Sequence, residues 1–208
     1  PQQVVMIPGS GVDLEQYPVL PPPDGVPVVL MAARLLATKG VREFVSAARQ
    51  LRAQGVNARF WLAGEPDPDN PASVTSDELQ VWRQEGAVEL LGHQPDIAQL
   101  MAQVHMVVLP SYREGLPKVL IEAAACGRVV VTTDVPGCRD AVETGVTAVL
   151  VPAKNALALT EAIGQLLQDR AACTAMGQAG RLRAERLFDV NVVVASHLDI
   201  YRALEIGA

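Results

Sequence analysis

Short apolar runs recur along this chain, and nearly every one is followed by a segment whose apolar residues fall three and four apart. "PVVLMAA" (27–33), "ARFWLAG" (58–64), "AVELLG" (87–92), "MVVLPS" (106–111), "RVVVTTD" (128–134) and "AVLVP" (148–152) read as strands, with a further short one, "VVMIP", at 4–8. Their apolar character is continuous rather than alternating, as expected of strands covered on both faces. The segments between them read as helices. "VREFVSAARQLRAQG" (41–55) has helical spacing and a closing glycine, and "TSDELQVWRQEG" (75–86) places Thr75 and Glu78 at the separation of a capping box. "DIAQLMAQ" (96–103) is a short helix, "PKVLIEAAACG" (117–127) a helix with proline in its first turn, and "CRDAVE" a helical turn. Residues 155–205 are mostly helical. Strands alternating with helices across short connections predict an α/β fold: a Rossmann-like, doubly wound parallel sheet of about six strands with helices on both faces.

The composition fits that layout. Half of the 208 residues are hydrophobic but only 4% are aromatic, so the core is built from small and branched side chains. A net charge of −6 argues against a nucleic-acid partner, which calls for a basic face. No apolar run approaches the length of a membrane span; only the bilayer span is excluded, and work on a lipid at the membrane surface stays open. Cys126, Cys138 and Cys173 show neither metal-type spacing nor an even count, and read as apolar fillers in a reducing, cytoplasmic setting.

Open parallel sheets bind ligands outside the carboxyl ends of their strands, so the residues after each strand are the site candidates. Arg34 and Lys39 follow the strand at 27–33; they read either as a clamp for a pyrophosphate or as ordinary surface cations. No G-x-G-x-x-G follows this strand and no G-x-x-x-x-G-K-[ST] occurs, so neither the dinucleotide nor the P-loop fingerprint is met. In "EGLPKVLIE" (114–122), Gly115 lets a ligand approach the backbone and the helix start favours an anion. Glu114 and Glu122 stand eight positions apart. A carboxylate accepts from two vicinal hydroxyls at once, as on a ribose; the plainer reading is a glutamate favoured by the helix dipole plus an exposed helical one. That reading is weaker for Glu122, whose neighbours are apolar and which therefore needs partners if buried. Asp67 and Asp69 have a spacing that suits a divalent cation or, in their Pro/Asn-rich loop, a turn. His93 sits at a strand end, where it can meet a ligand; His105 and His197 read as structural.

Taken together these motifs resemble the carboxyl-terminal, donor-binding lobe of family 4 retaining glycosyltransferases of the GT-B fold. The family's E-x7-E motif matches Glu114 and Glu122, and its phosphate-binding pair matches Arg34 and Lys39 in "ARLLATKG". "GVD" (11–13), "TTDVPG" (132–137) and "GVTAVLVP" (145–152) match further signposts, and the wording of "LPSYREGLPKVLIEAAACGRVVVTTDVPG" resembles bacterial enzymes of polysaccharide and lipid-linked oligosaccharide synthesis. The resemblance implies that residues 1–208 form a nucleotide-sugar-binding domain, with 188–208 a terminal helix crossing toward an acceptor lobe that this chain lacks. It implies a UDP-sugar donor, a glycan or lipid-linked acceptor and no metal or other cofactor. Glu122 would hold the ribose. Glu114, Gly115 and Leu116 would face the sugar, and Pro117, Lys118 and Val119 would surround the nucleotide. Gly11 would lie at the entry loop, where Ser10-Gly11 departs from the family's asparagine-glycine, and the base would sit near His93. Arg34 and Lys39 would neutralise the leaving diphosphate. A non-catalytic nucleotide-binding or interaction module is the alternative. An epimerase or dehydrogenase is disfavoured by the missing glycine fingerprint and the lack of a Tyr-x-x-x-Lys pair.

Overall fold

In the computed structural model, residues 9 and 11–206 are described; the strand expected at 4–8 lies outside them. Six strands form one parallel sheet: β1 (Val28–Ala32), β2 (Arg59–Ala63), β3 (Glu89–Gly92), β4 (Met106–Leu109), β5 (Val129–Thr133) and β6 (Ala148–Val151). Their spatial order is β3-β2-β1-β4-β5-β6. The chain winds outward through β2 and β3, then returns to the middle and winds outward the other way. The reversal leaves a crevice between the carboxyl ends of β1 and β4, where sheets of this topology bind ligands.

The helices cover both faces. They are α1 (Val41–Ala53), α2 (Ser76–Glu85), α3 (Ile97–Ala102), α4 (Lys118–Ala125), α5 (Pro136–Ala141), α6 (Ala156–Gln168), α7 (Arg170–Leu187) and α8 (Val190–Ile206). Because strand side chains alternate, β1 feeds two cores. Val29 and Met31 pack with Phe44 and Leu51 of α1 and Ile163 of α6, while Leu30 packs with Leu120 and Ala123 of α4 and Met101 of α3. Every residue of β1, β4 and β5 is buried, which is why those segments lack a polar alternation.

The capping box forms as read: the Glu78 amide donates to Thr75 Oγ1 at 3.2 Å and the Thr75 amide to Glu78 Oε2 at 2.9 Å. Two boundaries differ from the expectation. Pro117 is the N-cap of α4 rather than part of its first turn, so the helix starts at Lys118. The turn read at "CRDAVE" begins earlier, with Pro136 as the first residue of α5; proline's fixed φ suits a helix start and the sequence reading passed over it. The helical tail resolves into α6, α7 and α8. On α8, Val194, Leu198 and Tyr201 stay exposed at the spacing of one helix face.

Candidate active-site cleft

Three connections at the carboxyl edge of the sheet build the cleft. The first runs from β1 through Arg34 to a 3-10 turn at Ala37–Lys39 and into α1 through Gly40. Gly40 has φ +75°, and a Cβ there would stand 2.1 Å from the Pro110 carbonyl oxygen. Only a residue without a side chain lets this turn lie so close to the segment after β4. The Tyr112 amide donates to the Thr38 carbonyl at 2.9 Å and holds the two together. This contact brings Lys39 to Glu114: Nζ and Oε1 are 2.6 Å apart, with Glu114 largely buried.

The second connection follows β4 and carries Ser111–Pro117 into α4. No side chain caps α4, so its first amides keep the capacity to bind an anion. The loop is braced from the far side by Gly137 of α5, where a Cβ would stand 2.1 Å from the Gly115 carbonyl oxygen and 2.5 Å from that of Glu114. Within α4, Glu122 is only 7% exposed. It accepts from the Tyr17 hydroxyl at 2.8 Å and lies 3.5 Å from Lys118 Nζ. Burial, then the bond to Glu122, pushes the Tyr17 hydroxyl well above the ordinary tyrosine range, so it stays protonated and donates.

The third connection follows β2. Its loop swings over the end of β1 and sets Asp67 3.1 Å from Arg34 Nη1. Between these walls lies a cleft of about 490 Å³. Arg34, Asp67, His93, Ile97, Val119 and Glu122 all line it. The expected residues thus fall into groups. Arg34, His93, Val119 and Glu122 share the cleft, while Glu114, Gly115, Leu116, Pro117 and Lys118 form the loop and helix start at its β4 side, to which Lys39 reaches from the turn after β1. Gly11 lies elsewhere: a Cβ on it would stand 2.9 Å from Val190 Cα, so its environment is the α7–α8 junction, and Gly9 is the glycine that approaches Leu116. The sequence reading missed Tyr17, and it treated Asp67 as a turn or metal residue rather than as the partner of Arg34. The cysteines take no part in the cleft: burial pushes the thiols of Cys126 and Cys173 up to about 11 and also raises that of Cys138.

A parallel sheet with a cleft at its switch point, a buried carboxylate within it and cations on its rim defines a doubly wound α/β protein with a ligand-type cleft at the carboxyl ends of its strands. Comparison with known proteins narrows this. The family described as Glycosyl transferases group 1 matches residues 26–169, and the chain belongs to that family. It is 35% identical over 178 residues to the N,N'-diacetylbacillosaminyl-diphospho-undecaprenol alpha-1,3-N-acetylgalactosaminyltransferase of Campylobacter jejuni subsp. jejuni serotype O:2, covering 86% of this chain and 45% of that one. Among solved structures, the sucrose-phosphate synthase of Thermosynechococcus elongatus superposes with a TM-score of 0.84 at 27% identity, covering 98% of this chain and 53% of that one. Anabaena Alr3699/HepE, solved in complex with UDP and glucose, superposes with a TM-score of 0.76 at 25% identity, covering 91% and 55%. The chain spans about half the length of the curated relatives it matches, and its sheet is one Rossmann-like half of a GT-B fold.

Proposed function

We propose that this chain is the donor-binding half of a retaining glycosyltransferase that moves a sugar from a nucleoside diphosphate, UDP in particular, to a glycan or lipid-linked acceptor in surface polysaccharide synthesis. The observation that carries this is Glu122: a nearly buried carboxylate that lines the switch-point cleft, with one oxygen taken by the Tyr17 hydroxyl at 2.8 Å and by Lys118 Nζ at 3.5 Å. The glucose and UDP bound by the Anabaena protein support the ligand class. The lipid diphosphate named in the Campylobacter relative supports the acceptor class.

In this reading Glu122 accepts from the ribose hydroxyls, and the base lies along Ile97 and His93. The diphosphate meets Arg34, Lys39 and the start of α4. Glu114 and the backbone at Gly115 and Leu116 face the sugar. Both cations hold carboxylates in the ligand-free chain, and donor binding takes Arg34 from its partner. The Arg34–Asp67 pair is two-thirds exposed on the arginine side, and separating such a pair costs no more than about 1 kcal/mol. Lys39–Glu114 is more enclosed. There the ammonium can meet the diphosphate while it keeps Glu114 aimed at the sugar.

Titration calorimetry tests the proposal. UDP binds in preference to GDP and ADP, and Glu122→Ala and Lys39→Ala each weaken it roughly ten- to hundredfold, the loss of one charge-assisted contact. No binding of any nucleoside diphosphate at millimolar concentration contradicts it and favours a non-nucleotide module.

A further inference from the structure

A second cavity, of about 530 Å³, opens at the opposite, amino-terminal edge of the sheet. The Pro-rich strap before β1 forms one wall, through Val19, Leu20 and the run Pro21–Pro23. The carboxyl end of α6 (Leu166, Leu167) and the first turns of α7 form the other, with the residues leading into β4 and β5 behind. Val19 and Leu20 are 50% and 44% exposed, so an apolar lip faces solvent. Three successive prolines make a stiff wall that has no amide hydrogen to offer. Any polar recognition in this cavity therefore falls to side chains.

Two of those side chains are arginines without an acidic partner. Arg128 lines the cavity yet is 2% exposed. Its Nε donates to the Met101 carbonyl at 2.9 Å and its Nη2 to the Ala102 carbonyl at 3.2 Å, which leaves Nη1 unspent. Arg170, at the start of α7, also lines the cavity. Among the described residues neither arginine belongs to any ion pair. Asp24, the acid at this rim, is exposed. His105 contributes no charge: its Nδ1 accepts from the Val28 amide at 3.1 Å, its Nε2 bonds the Pro23 carbonyl at 2.9 Å, and burial with both arginines nearby lowers its pKa. A buried guanidinium normally has a counter-charge, and this one faces an apolar space within the size range of about 300–1,000 Å³ typical of small-molecule sites.

We propose that this cavity binds an amphiphilic anion, with a hydrocarbon chain along Val19, Leu20, Leu166 and Leu167 and a single phosphate or carboxylate head held by Arg128 and Arg170. The site is independent of the donor cleft, which lies across the sheet at the other ends of the strands.

The probe is decyl phosphate, titrated as monomer into the intact chain by calorimetry, with decanol and inorganic phosphate as controls. The expected result is a single site for decyl phosphate, unaffected by saturating UDP, with both controls at least about tenfold weaker because each lacks one half of the recognition. Arg170→Gln weakens it about tenfold, and Thr174→Trp, which fills the cavity from α7, abolishes it. Both variants leave Arg128 in place against α3. Flotation with phosphatidylglycerol vesicles separates a bilayer source from a free amphiphile: in either case decyl phosphate displaces the bound chain. The inference is overturned by failure of decyl phosphate to bind at millimolar concentration, by binding that survives both variants, by competition from UDP, or by vesicle binding that decyl phosphate does not displace.

Discussion

Glu122 sits in a helix of alanines, valine, leucine and isoleucine, where an unpartnered charge would cost several kcal/mol. Tyr17 is the answer the fold supplies. Its hydroxyl occupies one oxygen of the carboxylate and leaves the remainder for a ligand. Arg181 of α7 holds Tyr17 in turn, with Nη1 donating to the Tyr17 carbonyl at 2.9 Å and to the Ala125 carbonyl at 2.8 Å. Tyr17→Phe is therefore expected to reduce UDP affinity roughly three- to tenfold, the value of one neutral-to-charged hydrogen bond acting indirectly. The loss should vanish with 2′,3′-dideoxy-UDP, which has no hydroxyls for Glu122, while the melting temperature falls because the buried carboxylate loses its hydroxyl partner. Equal losses with both nucleotides would assign Tyr17 to packing alone. Gly40 governs a second residue-scale contact. Gly40→Ala puts a Cβ against the Pro110 carbonyl at 2.1 Å, and should cost about 1–3 kcal/mol in denaturant unfolding and weaken UDP binding through Lys39. Gly55→Ala, whose Cβ would meet nothing within 4 Å, should show the smaller cost of a positive φ and leave nucleotide binding intact.

At the scale of the element, α2 is fastened by its first turn. Glu78 closes the capping box and also takes the Arg42 guanidinium of α1, with Nε at 2.6 Å and Nη2 at 3.1 Å. The bonds from Arg42 and then from Thr75 hold its carboxyl down at about 2, against an ordinary 4.5. A carboxyl lowered by folding stabilises the fold above its unfolded value. That contribution is present above pH 4.5 and is lost as pH falls toward about 2. In a pH series of melting temperatures, wild type should lose more over that window than Glu78→Gln; parallel curves would contradict the assignment. Thr75→Ala should cost about 1 kcal/mol at neutral pH. This cap was legible in the sequence because all its partners lie within four residues. The start of α4 was misread by one position because proline suits an N-cap nearly as well as the first turn, and only backbone angles separate the two.

At the scale of the molecule, the apolar runs sufficed for the sheet class but not for the strand order, because continuous burial on both faces hides each strand's neighbours. Arg34, Lys39 and Glu114 were readable as site candidates because they stand in the connections beyond strand ends, where this topology gathers its ligand groups, and Glu122 because it is a carboxylate among apolar neighbours eight positions from Glu114. Their partners were not readable. Tyr17 and Glu122 lie 105 residues apart and Arg34 and Asp67 lie 33 apart, joined only by the winding of the sheet. The packing around Gly11 was hidden for the same reason: its glycine requirement comes from the backbone at Phe188 and Val190, which the chain reaches only at its far end.

The most direct test of the nucleotide assignment is a crystal structure of this chain grown with UDP. The account predicts ribose hydroxyls within hydrogen-bond distance of Glu122, and the diphosphate against Lys39, Arg34 and the first amides of α4, with Arg34 released from Asp67. A nucleotide bound elsewhere, or a cleft left empty at saturating UDP with both ion pairs intact, would contradict it.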